Sequence, residues 1–120
     1  MRDWPSEDDL AYLVTATYFG FTYWPDKLEL DFGKPAITIH LTTGIPLEIQ
    51  TSDGVWHRPA TLKETGIQLF DLMFYDISRV ERVSDNRLIL RLDTTAIALD
   101  LTGTPPGSFR INGDGRDFVI

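Results

Sequence analysis

The chain has 120 residues, of which 42% are hydrophobic and 24% are charged. This length is sufficient for one domain to bury a core without disulfides or metals. It has no cysteine, which excludes disulfide scaffolds, thiolate metal sites and cysteine nucleophiles. Eighteen acidic and eleven basic residues give a net charge of −7, a balance that repels nucleic acid and anionic membranes and favours a basic partner.

The N-terminal stretch MRDWPSEDDL carries four acidic residues before any apolar run. A secretory signal has the opposite order, basic and then hydrophobic, and no apolar stretch approaches the roughly 20 residues of a membrane-spanning helix. We therefore expect a soluble, cytoplasmic protein without a membrane partner. Ser6, followed three residues later by Asp9, resembles a capping box and predicts a short helix from about Glu7 to Val14.

Two stretches of the chain resemble each other, KLELDFGKPAITIHL at 27–41 and RLILRLDTTAIALDL at 87–101. Average composition predicts about one identity in such a window. The observed identities are Leu28/Leu88, Leu30/Leu90, Ala36/Ala96, Ile37/Ile97 and Leu41/Leu101.

Each stretch alternates apolar and polar residues with the period of a half-buried strand. Lys27, Glu29 and Asp31 share the outward face of the first strand. The predicted inward residues are Leu28, Leu30, Phe32, Ile37, Ile39 and Leu41 in the first stretch and Leu88, Leu90, Leu92, Ile97, Leu99 and Leu101 in the second. FGKPA then predicts a hairpin with a loop of about four residues. In the second stretch the outward residues Ile89, Ala96 and Ala98 are apolar, so we expect a helix of this chain or another protomer to cover them.

The likeness extends on both sides of these stretches. LAYL at 10–13 corresponds to LFDL at 69–72 with a slip of one residue, which requires an insertion or a bulge. SDG at 52–54 and GDG at 113–115 are turn sequences followed by β-prone VW and DFVI. We predict a single, mainly β domain of two pseudo-repeats, about 1–60 and 61–120. The predicted fold is a duplicated antiparallel β-meander of about six to eight strands with one or two short helices. The strands form one twisted sheet, a sandwich or a partly open barrel, and periodicity does not choose among these three arrangements.

The chain offers little catalytic chemistry. Its two histidines, His40 and His57, are not in a spacing that places two ligands on one metal, so we expect no metal site and no cofactor. His40 is predicted to form an exposed cross-strand pair opposite Glu29. We expect no enzymatic activity; the remaining catalytic possibility is a carboxylate pair, Asp53 and Asp114, meeting across the pseudo-repeat.

The segment SDGVWHRPA at 52–60 is the most chemically diverse. Asp and His serve hydrolases, but no nucleophile elbow accompanies them. Trp and Arg are typical of binding hot spots, and Trp56 is alternatively a core aromatic at the end of a strand.

A small, acidic, cysteine-free chain with LxL…AIxL patterning in each half resembles the single-domain immunity proteins of bacterial toxin systems and the small β-rich families found beside them. The resemblance implies a non-catalytic protein that occludes the active site or substrate groove of a basic toxin. The alternative is a homo-oligomeric small-ligand-binding or structural β module. The candidate partner-binding residues are Asp26, Glu29, Asp31 and His40 on the outward face, with Asp53, Trp56 and His57 in the adjoining loop.

Overall fold

The computed structural model describes residues 3–120 and contains ten antiparallel strands in two five-stranded sheets, with two short helices. The mainly β class is therefore confirmed. The strand number exceeds the expected six to eight because the hairpins that end each half consist of strands of two to five residues. Strands this short show too few alternations to be recognised by periodicity. No helix within residues 3–120 has the length and apolar character needed to cross a membrane.

The two halves contain the same elements in the same order. The first half consists of α1 (Glu7–Leu10), a 3₁₀ turn (Ala11–Leu13), β1 (Thr17–Trp24), β2 (Lys27–Lys34), β3 (Ile37–Thr43), β4 (Glu48–Gln50) and β5 (Trp56–His57). The second half consists of α2 (Leu62–Leu69), a 3₁₀ turn (Phe70–Leu72), β6 (Ile77–Arg82), β7 (Arg87–Leu92), β8 (Thr95–Asp100), β9 (Phe109–Gly113) and β10 (Arg116–Val119). Both helices begin with a hydroxyl cap, since Ser6 and Thr61 each accept a hydrogen bond from the backbone N–H three residues on.

Each sheet combines strands of both halves. Sheet A has the order β1-β2-β3-β9-β10, and sheet B has the order β5-β4-β8-β7-β6. The three-stranded meander of one half is thus extended by the terminal hairpin of the other half. The exchange is reciprocal, and neither sheet is complete within its own half.

Equivalent apolar rows cross the two sheets. In sheet A, Leu30 pairs with Leu41, which pairs with Ile111; in sheet B, Leu90 pairs with Ile97, which pairs with Ile49. All six side chains are buried in one core shared by both sheets. Of the predicted inward residues, Ile37 is only half-buried. The others are confirmed as buried: Leu28, Leu30, Phe32, Ile39, Leu41, Leu88, Leu90, Leu92, Ile97, Leu99 and Leu101.

The turn between β2 and β3 is shorter than expected. Lys34 pairs directly with Ile37, which leaves only Pro35 and Ala36 in the turn instead of about four residues. Ala36 has a φ of 63°, a left-handed conformation that a non-glycine residue adopts rarely. The shorter turn shifts the register by two residues, so that His40 lies opposite Asp31 and not opposite Glu29.

The two sheets are joined where β1 and β6 begin. Thr17 and Asp76 form an isolated antiparallel bridge, and Thr17 Oγ1 donates to Asp76 Oδ1 at 2.5 Å. Four backbone hydrogen bonds of 2.6–2.9 Å flank this bridge, and they form two pairs in which each half contributes the equivalent bond. In the first pair, the Thr15 N–H donates to the Ile77 carbonyl and the Phe74 N–H donates to the Tyr18 carbonyl. In the second pair, the Ile77 N–H donates to the Ala16 carbonyl and the Tyr18 N–H donates to the Tyr75 carbonyl. The halves are therefore related by a local twofold pseudosymmetry at this bridge.

The sequence slip between the halves has a simple structural origin. Both β1 and β6 carry a bulge at the same place, between Tyr18 and Gly20 and between Ile77 and Arg79. Because the bulge is present in both halves, it does not cause the one-residue slip between their sequences. The extra residue lies in the β6–β7 loop, where 84–86 take the place of the two-residue turn 25–26 between β1 and β2.

Candidate functional site

Three ionisable side chains meet on the outer face of sheet A, and we call them the His40 cluster. Glu29 and Asp31 lie two residues apart on β2, and His40 lies on the adjacent strand β3. His40 Nδ1 is 2.6 Å from Asp31 Oδ1 and 2.7 Å from Glu29 Oε1. All three residues are half-buried, and strand pairing places their side chains together on one face.

The His40 cluster is suited to binding positive charge. One Nδ1 carries at most one hydrogen, so the ring donates to one carboxylate at a time or shares that hydrogen between them. The other carboxylate oxygens remain available to an incoming cationic group. The three donor atoms also lie within 4.8 Å of one another, a spacing at which carboxylate and imidazole groups are able to hold a cation.

The other predicted contact residues are divided between the sheets. Asp26 is exposed in the turn between β1 and β2 of sheet A. Asp53, Trp56 and His57 lie in the β4–β5 hairpin, which belongs to sheet B. The structure thus brings Glu29, Asp31 and His40 together and places the 52–57 segment on the other sheet.

Asp53 stabilises its own turn. Its carboxylate accepts hydrogen bonds from the Thr51 hydroxyl and, at 3.1 Å, from the Val55 N–H. These two hydrogen bonds lower the pKa of Asp53 below its ordinary value. Its equivalent in the β9–β10 hairpin, Asp114, lies 3.4 Å from Arg116 on sheet A. Each carboxylate is therefore engaged within its own hairpin.

The outer face of sheet B is covered by Trp56. Ile89, Ala96 and Ala98 form a small buried apolar cluster, and the half-buried Trp56 packs against it. Arg87 lies over the indole, with Cζ 5.1 Å from the ring centroid. Within the chain, this cover is thus a side chain of β5 and not a helix.

Ion pairs between arginine and acidic side chains lie beside Trp56 on the outer face of sheet B, and we call them the arginine network. Arg87 contacts Glu48 and lies 3.2 Å from Asp100, and Arg58 also reaches Glu48 at 2.7 Å. Further along the same face, Glu81 lies 3.3 Å from Arg79 and 3.1 Å from Arg91. Burial raises the pKa of Glu48, but the hydrogen bonds from Arg87 and Arg58 outweigh this, so the pKa lies below its ordinary value.

A cavity of about 380 Å³ adjoins the arginine network. Glu48, Arg58, Asp100 and Thr102 contribute its polar lining. Both carboxylates are already engaged by Arg87, which favours structural ion pairs over a free general base at this place.

Sequence reasoning placed Glu29, Asp31 and His40 on one outward face, although with His40 opposite Glu29 and not opposite Asp31, and it missed the arginine network. The His40 cluster and the arginine network join residues of different strands, so no spacing along the chain identifies them. A signal was available for the first cluster in the outward positions of the predicted hairpin, once its register is known. Comparison with protein-family models, with curated proteins and with solved structures gives no match.

Proposed function

We propose that the chain is a non-catalytic protein-binding module, a cytoplasmic immunity protein that occludes the active site or substrate groove of a basic toxin. The observation that carries the proposal is the His40 cluster on the outer face of sheet A. Its two carboxylates, with the exposed Asp26 nearby on the β1–β2 turn, form the contact surface for lysine or arginine side chains.

The distribution of charge supports this choice of face. The arginine network contains four of the eleven basic residues and three of the eighteen acidic ones. The rest of the chain therefore carries fifteen acidic residues and seven basic ones. Because Arg91 occupies in sheet B the position of Asp31 in sheet A, the same fold presents an arginine on one outer face and a carboxylate on the other.

Occlusion requires a preformed and accessible surface. The positions of Glu29, Asp31 and His40 are set by strand pairing, so little side-chain entropy is lost when a partner binds. Long-range attraction between an acidic face and a basic groove accelerates association, and desolvated arginine–carboxylate pairs slow release. The outer face of sheet B, with its charges mutually paired, is less suited to this role.

The test is binding to the protein encoded by the adjacent gene, measured by calorimetry in low salt and in about 0.5 M NaCl, where the Debye length falls to about 4 Å. We expect binding that weakens strongly at high salt. The double variant Glu29→Lys/Asp31→Lys should weaken binding at low salt by about 100-fold or more.

The matched control is the double variant Asp8→Lys/Asp9→Lys, which reverses the same number of charges on α1, a helix that contacts β6 of sheet B. It should change the affinity by no more than about twofold to threefold if the effect is local. Absent binding, or binding that is insensitive to both salt and the double variant, would contradict the proposal.

A further inference from the structure

The helix α2 presents an exposed stripe that the core does not use. The exposed side chains lie on α2 (Lys63 and Ile67), on the 3₁₀ turn that follows (Phe70 and Asp71) and just beyond that turn (Phe74), and we call them the α2 stripe. Ile67, Phe70 and Phe74 are 58%, 59% and 75% exposed. Three large apolar side chains exposed within eight residues are of the kind that marks interaction sites.

The fold itself does not require these side chains. In the first half, the residues equivalent to Ile67, Phe70 and Phe74 are Asp8, Ala11 and Thr15. Thr15 and Phe74 adopt the same left-handed conformation, with φ of 75° and 70°. The same backbone is thus built with small or polar residues in one copy and with large apolar residues in the other.

The α2 stripe is held rigidly from below. The ring of Phe70 packs edge-on against Phe21 of β1, with centroids 5.2 Å apart. Gly66 makes this approach possible, because a Cβ at that position would lie 2.9 Å from the Phe21 ring. The N–H of Phe74 donates to the Tyr18 carbonyl at 2.6 Å. A surface fixed in this way loses little entropy on docking.

The charges of the α2 stripe are self-complementary. Lys63 and Asp71 lie four residues before and four residues after Ile67, which is about 6 Å along the axis towards Lys63 in α2 and about 7 Å towards Asp71 in the 3₁₀ turn. Neither side chain makes an ion pair with another residue of the described range, 3–120. A twofold axis through Ile67 therefore places each lysine opposite the aspartate of an antiparallel copy.

We propose that the α2 stripe binds the α2 stripe of a second copy of this chain. Ile67 meets Ile67 of the second copy at the twofold axis, and Phe70 and Phe74 pack on either side. Lys63 pairs with Asp71 of the second copy, and the reverse pair follows by symmetry. The apolar centre lets two chains of charge −7 associate at a place where no like charges face each other.

The test is sedimentation equilibrium of the full chain over a range of concentrations. We expect a reversible monomer–dimer equilibrium. Ile67→Glu should weaken the dimer by about tenfold or more, because it places two carboxylates at the axis. Val83→Glu is the matched control: Val83 is 59% exposed but lies at the end of β6, and its variant should leave the equilibrium unchanged.

Charge reversal tests the antiparallel arrangement itself. Lys63→Asp alone and Asp71→Lys alone should each weaken the dimer, because each places like charges opposite one another. The double variant Lys63→Asp/Asp71→Lys should restore it to within about threefold of the original affinity. Because Lys63 and Asp71 are exposed, we expect these variants to fold like the original chain, and circular dichroism measures this. A chain that is monomeric at every concentration overturns the proposal, as does a dimer that Ile67→Glu leaves intact or that the double variant does not restore.

Discussion

Arg87 stacks over Trp56, its guanidinium carbon 5.1 Å from the centre of the indole, although 30 residues separate them along the chain. The indole in turn packs against Ile89, Ala96 and Ala98. Two alanines leave room for a flat ring, and the ring shields from water a sheet face that would otherwise be an apolar patch. The terminal hairpin of the first half thus closes the outer surface of the second half.

Trp56→Ala should lower the free energy of unfolding by about 2 kcal/mol, less than for a fully buried tryptophan because one side of the ring is open. Urea denaturation measures this. Val55→Ala provides the control, since the neighbouring Val55 is 49% exposed, and it should have an effect within about 0.5 kcal/mol. An equal loss for the two variants would show that Trp56 does not cover the sheet.

Glu48 should contribute a pH-dependent part of the stability. Its pKa is lowered below 4.5 in the folded state, so its stabilisation is present above the unfolded pKa and is lost as the pH falls through the folded value. Glu48→Gln should destabilise the protein by about 1–3 kcal/mol at pH 7. The difference from the original chain should shrink below about pH 4.

The measurement for Glu48 is urea denaturation of both chains from pH 7 to pH 3. Asp93→Asn serves as the control, since Asp93 is exposed in the β7–β8 turn and asparagine tolerates its φ of 57°. Its stability curve should run parallel to that of the original chain. A Glu48→Gln difference that is constant with pH would mean that the carboxylate charge is not what stabilises the network.

Gly113→Ala should destabilise the fold by about 2–4 kcal/mol. Gly113 has a φ of 140°, and a Cβ there would lie 2.5 Å from the Thr38 carbonyl oxygen, where β9 joins β3. Thermal denaturation measures the loss. Gly20→Ala is the control because a Cβ at Gly20 meets nothing within 4 Å. A neutral Gly113→Ala would show that the junction between the halves adapts easily.

Tyr18→Phe should leave the stability unchanged or raise it by up to about 1 kcal/mol. The side chain is fully buried, and its hydroxyl has no hydrogen-bond partner among the described residues. Burial, with a smaller contribution from Asp31, raises the pKa of this hydroxyl, so it stays neutral. Denaturant unfolding decides the question, and a clear loss of stability would reveal a bound partner for the hydroxyl.

The class of the fold was predictable because β2 and β3 alternate apolar and polar residues regularly and because leucine recurs at every second position of β7. Leu28, Leu30, Leu88 and Leu90 occupy every second position, and all four are fully buried. This pattern is a property of each strand alone. It requires no knowledge of which other strands complete the sheet.

The exchange of hairpins was not predictable, because it depends on contacts between distant parts of the chain. β4 and β5 have three and two residues, so their sequence carries no period from which a partner can be inferred. The strand register at His40 was mispredicted for a related reason. The Pro35–Ala36 turn sets the position of His40, and its left-handed alanine is not an ordinary turn residue.

The reciprocal exchange also governs how the chain can be divided. A protein cut between β5 and α2 would yield two fragments that each lack two strands of their own sheet, so each should remain unstructured alone and regain order only when mixed with the other. A fragment of this kind would also be able to assemble with a copy of itself. The exchanged hairpins are therefore consistent with descent from a small homodimer whose two subunits became fused head to tail.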